Sequence, residues 1–126
     1  VGSIIIDKKN NIITANGNRI NELSDPTAHA EILCIREASR KLNNKRLVDC
    51  SIFTTLEPCT MCASAISLAR IKTLYFGAYD FKGGAIENGV QFYNSSACNH
   101  KPEFYGGFNE KDSSILLKSY FEKKRV

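Results

Sequence analysis

The chain is predicted to form a three-layer α/β/α domain around a mixed central sheet of about five strands. Three observations predict it. Two β-branched runs open the chain as a hairpin, strand-like and helix-like segments then alternate, and each of the first two helix starts follows a strand. With 126 residues, 43% hydrophobic and 24% charged, one core suffices without disulfide help.

Ser3 to Asp7 and Asn11 to Ala15 are the hairpin strands, separated by Lys8-Lys9-Asn10. Helical spacing begins at Pro26, with Asp25 as the expected N-cap and Pro26 at the first helical position. Ala28, Ile32, Ile35, Ser39 and Leu42 recur at intervals of three and four, and the helix is expected to end near Asn43-Asn44. Ser51 to Leu56 reads as a buried strand, broken by Glu57-Pro58 before a second helix through Ala63, Ile66 and Ala69. Thr73 to Ala78 is the fourth strand. Gly83-Gly84 marks a loop, and the stretch to Asn99 follows no readable period. Glu103-Phe104-Tyr105 is a short fifth strand, followed by a closing helix on Leu116, Leu117, Tyr120 and Phe121.

No apolar run approaches the ~20 residues needed to span a bilayer. Val1 leads straight into the first strand, so an upstream element is expected, and the opening lacks the length and basic start of a signal peptide. The formal charge of +4 permits a nucleic-acid partner without demanding one. Basic residues gather at Lys41, Lys45 and Arg46 and in Lys118 to Val126, where solvated faces are the plainer reading. Five cysteines, an odd number with two of them three apart after a proline, do not make a disulfide framework and fit a reducing cytosol.

Cys59 and Cys62 stand as Pro-Cys-x-x-Cys at a helix start, where the dipole and backbone N–H groups favour thiolates. Zinc is the metal such ligands suit, and His29 is the candidate third ligand. His29 and Glu31 lie about 200° apart on an ideal helix. They share no lateral face, yet both can address a point beyond the helix's N-terminal end. Three protein ligands leave zinc's fourth position for a water or hydroxide, which argues for catalysis rather than structure. Glu31, a nearby carboxylate that is not a ligand, would then shuttle the proton. Taken singly, His29 reads as an ordinary helix residue and Cys-x-x-Cys equally as a redox pair.

His-x-Glu followed by Pro-Cys-x-x-Cys is the signature of the zinc nucleobase deaminases. Over nearly its whole length the chain resembles the bacterial tRNA-specific adenosine deaminases of the cytidine and deoxycytidylate deaminase superfamily. The matching pieces are Val1-Gly2, Asn18-Arg19, DPTAHAEI (25 to 32), LEPCTMCASAI (56 to 66), ARI (69 to 71), FGAYDFKGGA (76 to 85) and Asn99-His100. The resemblance implies a cytidine-deaminase-like fold, with residues 1–126 a single domain lacking the N-terminal helix the family carries before the first strand. It implies one zinc per subunit on His29, Cys59 and Cys62, with Glu31 catalytic. The activity implied is conversion of the wobble adenosine of a tRNA anticodon to inosine, by a cytoplasmic homodimer bound to an anticodon stem-loop.

Asn18 would contact the target base, Asp80 and Lys82 would lie in the loop that meets the RNA, and Asn99 and His100 would line the nucleotide pocket. The plainer alternatives are a turn residue for Asn18, a polar surface loop for Asp80 and Lys82, and a surface residue for His100. Glu87 to Cys98 follows no family pattern. Cys34 and Cys50 read as small core residues, and Cys98 as the one further candidate ligand. Two rival functions remain: a free-base or nucleoside deaminase acting on cytosine, cytidine or guanine, and a non-catalytic RNA-binding or structural zinc module.

Overall fold

The computed structural model describes residues 1–108. Strands β1 (Gly2–Ile6) and β2 (Ile12–Gly17) form the expected antiparallel hairpin, closed by a turn in which the Asp7 carboxylate accepts from the backbone N–H groups of Lys9 and Asn11. A short helix, α1 (Ile20–Leu23), follows, then α2 (Ala30–Leu42). Strand β3 (Ser51–Leu56), helix α3 (Thr60–Leu68) and strand β4 (Thr73–Ala78) make a parallel crossover unit. A single 3-10 turn at Phe92–Asn94 precedes β5 (Glu103–Tyr105). The expected closing helix and the basic tail fall on residues 109–126, outside the described residues.

The five strands lie in the order β2-β1-β3-β4-β5. Only β1 runs against its neighbours, since β1 is antiparallel to both β2 and β3 while β3, β4 and β5 are mutually parallel. The mixed sheet follows from connection chemistry: a tight turn permits antiparallel pairing, whereas a parallel pair needs a helical crossover. As a result, the carboxyl ends of β2, β3 and β4 lie along one edge of the sheet.

Strand alternation separates two sets of apolar residues. Ile5, Ile52, Leu74 and Phe76 pack with Cys34 and Ala38 of α2 and with Ala63 and Ile66 of α3, so both long helices share one face. Ile4 and Ala15 face the other way with Ile6, Ile12 and Phe53. On that face Phe53 stacks on Tyr75 at 4.5 Å between ring centroids, and Phe108 meets both rings edge-on.

Two local readings are corrected. Helix α2 begins at Ala30 rather than Pro26, because Asp25 closes a turn instead: its Oδ1 accepts from the Thr27 backbone N–H at 2.9 Å and the Thr27 hydroxyl at 2.7 Å. The N-cap is His29 itself. Helix α1 had no readable signal, its four residues being too few to establish a period. The far end of α2 agrees with expectation, with Asn43 in the left-handed conformation as C-cap.

Candidate metal centre and pocket

Two helix starts build the centre. His29 is the N-cap of α2 and Cys59 the N-cap of α3, and Cys62 is the third residue of α3. Both caps have extended backbone, so their side chains lean back over the helix ends toward the sheet's carboxyl edge. His29 Nδ1 lies 3.7 Å from Cys59 Sγ and 3.5 Å from Cys62 Sγ. The three ligand atoms all fall within 4.8 Å of one another. A tetrahedral zinc with Zn–S near 2.3 Å and Zn–N near 2.05 Å requires an S···N edge of about 3.6 Å. Two thiols and one imidazole at that spacing fit zinc in both chemistry and geometry. The four-atom set that closes a structural zinc site is not assembled among the described residues.

Glu31 is the second residue of α2 and is only 4% exposed. Burial holds its carboxyl above the ordinary range, opposed by its own backbone N–H and by the Cys62 thiol it touches. The two thiols differ. A hydrogen bond from Cys62 lowers the Cys59 thiol against the cost of its burial, while that same bond and burial raise Cys62.

Val1, Asn18, His29, Ala30, Glu31, Leu56, Glu57, Cys59 and Asp80 line a cavity of about 110 Å³ above this centre. That is well beyond the roughly 10–15 Å³ one water requires. Asn18 follows β2, Glu57 and Cys59 follow β3, and Asp80 follows β4, so three parallel strand ends deliver their next residues to one crevice. Asn18 makes a turn and also lines the pocket. Its Oδ1 accepts from the Ile20 backbone N–H at 3.0 Å, making the turn, and its Nδ2 remains a donor at the pocket.

Asp80 Oδ1 accepts from the backbone N–H groups of Lys82 and Gly83, which folds the loop tightly after β4. Lys82 is exposed and is not part of the pocket wall. Asn99 and His100 also lie elsewhere. His100 bonds through Nε2 to the Ile71 carbonyl at 2.9 Å, and its backbone N–H and C=O both bond the Ser67 hydroxyl. Ser67 and Ile71 flank the end of α3 opposite the metal ligands, so His100 ties the approach to β5 onto the helix C-terminus. Cys98 donates to the His100 carbonyl at 3.1 Å and joins no ligand group. Cys34 and Cys50 are core residues, with burial pushing the Cys34 thiol up to about 11.

Sequence reasoning missed Glu57. Only 2% exposed, its carboxylate accepts from the backbone N–H groups of Asp80, Ile86, Glu87 and Asn88 and from the Asn88 side chain at 2.7 Å. Burial alone would raise its pKa. The Asn88 amide and the backbone donors outweigh that and hold it low. The approach is close enough that a Cβ on Gly84 would fall 2.5 Å from the Glu57 carboxyl carbon. The available signal was a Glu between a strand and Pro-Cys, followed by a glycine-rich loop with Asn88.

The profile of the cytidine and deoxycytidylate deaminase zinc-binding region matches residues 1–78. Over 126 residues the chain is 47% identical to the tRNA-specific adenosine deaminase of Agrobacterium fabrum, covering all of this chain and 82% of the relative. The chain belongs to the tRNA-specific adenosine deaminase family. Against the Haemophilus influenzae member this deaminase is 42% identical, covering 99% of its own length and 72% of the relative's. A structure solved in work on A-to-I editing by tRNA:A34 deaminases superposes with a TM-score of 0.85 at 48% identity, covering 91% of this chain and 83% of the other. A guanine deaminase from Nitrosomonas europaea shares the fold, with a TM-score of 0.73 at 21% identity and coverage of 94% and 71%. The zinc-binding deaminase region and the His-Cys-Cys group together make this a hydrolytic zinc deaminase with one metal site per chain.

Proposed function

We propose that the protein deaminates adenosine to inosine at the wobble position of a tRNA anticodon. The observation that carries the chemistry is Glu31, a buried carboxylate left out of the ligand set yet set against it beside an open pocket. The similarity to tRNA deaminases along the whole chain supports the substrate. When bound, zinc supplies Lewis-acid activation of water to a nucleophile at neutral pH.

The chain's own residues do the rest. His29, Cys59 and Cys62 would hold the metal, His29 and Cys59 from the pocket wall. Glu31, its pKa raised by burial, takes one proton of the attacking water on a carboxylate oxygen and delivers it to the ring nitrogen, then carries the second from the new hydroxyl to the amino group, which leaves as ammonia while the carbonyl forms. The Asn18 amide donates to the base edge and orients it. Asp80 lines the same pocket as Asn18, and exposed Lys82, outside the wall, offers a cation to a phosphate of the bound strand. Because a loop base can be splayed out and an anticodon is such a loop, the substrate reaches this crevice without a duplex being opened. The working unit in this reading is one domain over residues 1–126, acting in the cytoplasm as a homodimer. Among the described residues no helix is long and apolar enough to cross a membrane.

The test is incubation of zinc-assayed protein with an RNA hairpin bearing one loop adenosine, with inosine read by mass. Inosine is expected. Turnover of free cytosine, cytidine or guanine, with none on the hairpin, overturns the substrate assignment.

A further inference from the structure

Phe81 is 84% exposed, the most exposed large apolar side chain among the described residues. Its ring makes no aromatic contact there, unlike Phe53, Tyr75, Phe76 and Tyr79, which are all paired. It is also next in the chain to Asp80, a residue of the pocket wall, so its Cα sits one step of about 3.8 Å from that wall. Exposing a phenylalanine forfeits burial energy that the fold elsewhere collects, and a binding partner would recover it.

The loop that carries Phe81 is built to hold still. Asp80 is anchored by its backbone N–H to Glu57, its carboxylate bonds Lys82 and Gly83, and its carbonyl accepts from Gly84 at 3.0 Å. Glu57 then fixes Ile86, Glu87 and Asn88 on the far side. A ring on a clamped turn loses little freedom on binding. Beside it, exposed Lys82 offers a cation to a phosphate. An aromatic face next to a cation at the mouth of a pocket is the arrangement that takes up unstacked bases of single-stranded nucleic acid.

We propose that Phe81 is a stacking platform for the base that flanks the nucleoside held in the pocket. The inference rests on the RNA-editing reading above and adds to it a second, sequence-tolerant contact outside the pocket. Stacking removes the neighbour from its own stack, which helps the target base enter the crevice.

The experiment uses the zinc-loaded full chain carrying Glu31→Ala, so that bound RNA is not consumed, with hairpins bearing 2-aminopurine on one or the other side of the loop adenosine. With Phe81 present, one of the two hairpins is expected to bind with quenched fluorescence. Phe81→Leu should weaken binding by about 5- to 100-fold and abolish the quench. Phe81→Tyr should restore both, and the melting temperature should stay unchanged because the ring is solvent-exposed. In the active protein, with Glu31 intact, the loss in Phe81→Leu should appear mainly in KM rather than kcat. A Phe81→Leu protein that binds and quenches like its parent overturns the inference. So does a changed sedimentation coefficient with RNA binding intact, which would assign the ring to contact between two copies of the chain. A parent protein that binds neither hairpin removes the RNA reading itself, and this inference falls with it.

Discussion

At His29, Glu31, Cys59 and Cys62, position within the first helical turn decides the role. Two N-cap residues and the third residue of α3 bring their ligand atoms within 4.8 Å of one another, while Glu31, buried beside them, stands outside that set and is the carboxylate proposed to handle protons. Glu31→Ala is therefore expected to retain one equivalent of zinc by elemental analysis while turnover falls by about 10²- to 10⁴-fold. A zinc-free Glu31→Ala protein would mean that the carboxylate holds the metal. Cys59→Ala, by contrast, should lose both metal and thermal stability. Asp25 supplies a prediction of a different kind. The Thr27 hydroxyl and backbone N–H hold its carboxyl below the ordinary value, with burial opposing and Arg36 assisting. A depressed folded pKa stabilises above the unfolded value, about 3.9, and the benefit is lost as pH falls through the folded one. Melting curves of the wild type and Asp25→Asn should thus differ at pH 6, and the difference should begin to shrink only as pH falls below about 4, vanishing once pH is below the folded pKa.

Among the elements, the loop from Asp80 to Asn88 depends on one side chain. The Glu57 carboxylate accepts five hydrogen bonds, four from backbone N–H groups and one from the Asn88 amide, and among the described residues no salt bridge reaches it, so neutral dipoles balance its charge there. Glu57→Gln points an amide N–H₂ at those donors, and a loss of about 2–3 kcal/mol is expected. Hydrogen exchange should speed up at the amides of Ile86, Glu87 and Asn88, and unaltered protection there would show that the loop is held by other contacts. The strands were legible because β-branched runs fall between clear breakers: Ser51–Leu56 and Thr73–Ala78 occur where they were expected. The start of α2 was not, since Asp25 and Pro26 are as good in a turn as at a helix start, and only the Thr27 contacts separate the two. The 3-10 turn at Phe92–Asn94 is too short to leave a period, although the buried Phe92 and Tyr93 anchor it, Tyr93 donating to the Ala63 carbonyl at 2.9 Å.

For the molecule as a whole, a zinc held by His29, Cys59 and Cys62 would join the start of α2 to the start of α3, elements separated by the strand β3 in sequence. A ligand that binds only the folded state stabilises it by mass action, about 4 kcal/mol at a thousand-fold excess over Kd. Chelation should lower the melting temperature by about 10 °C or more, and added zinc should restore it. An unchanged transition would indicate that the two helix starts are held by core packing alone. The parallel run of β2, β3 and β4 explains why the site sits where it does: all three strands end at the same edge, and everything that follows them is delivered there.

Residue type and spacing alone pointed to the metal chemistry, because ligand identity is a local property, whereas the capping position of His29 emerged only with the fold. Cys-x-x-Cys at a helix start, with a histidine and a carboxylate two apart at another, supplies three ligand types that suit zinc and one carboxylate besides, in whatever fold brings the two together. The tertiary structure decided which other residues share that site. It brought Asn18 and Asp80 to the pocket, left Lys82 outside it, and sent His100 to the opposite end of α3. It also gave Glu57 its task, through partners 23 to 31 positions away. No local pattern encodes such pairings, since they depend on strand order and direction, which only the packed sheet fixes.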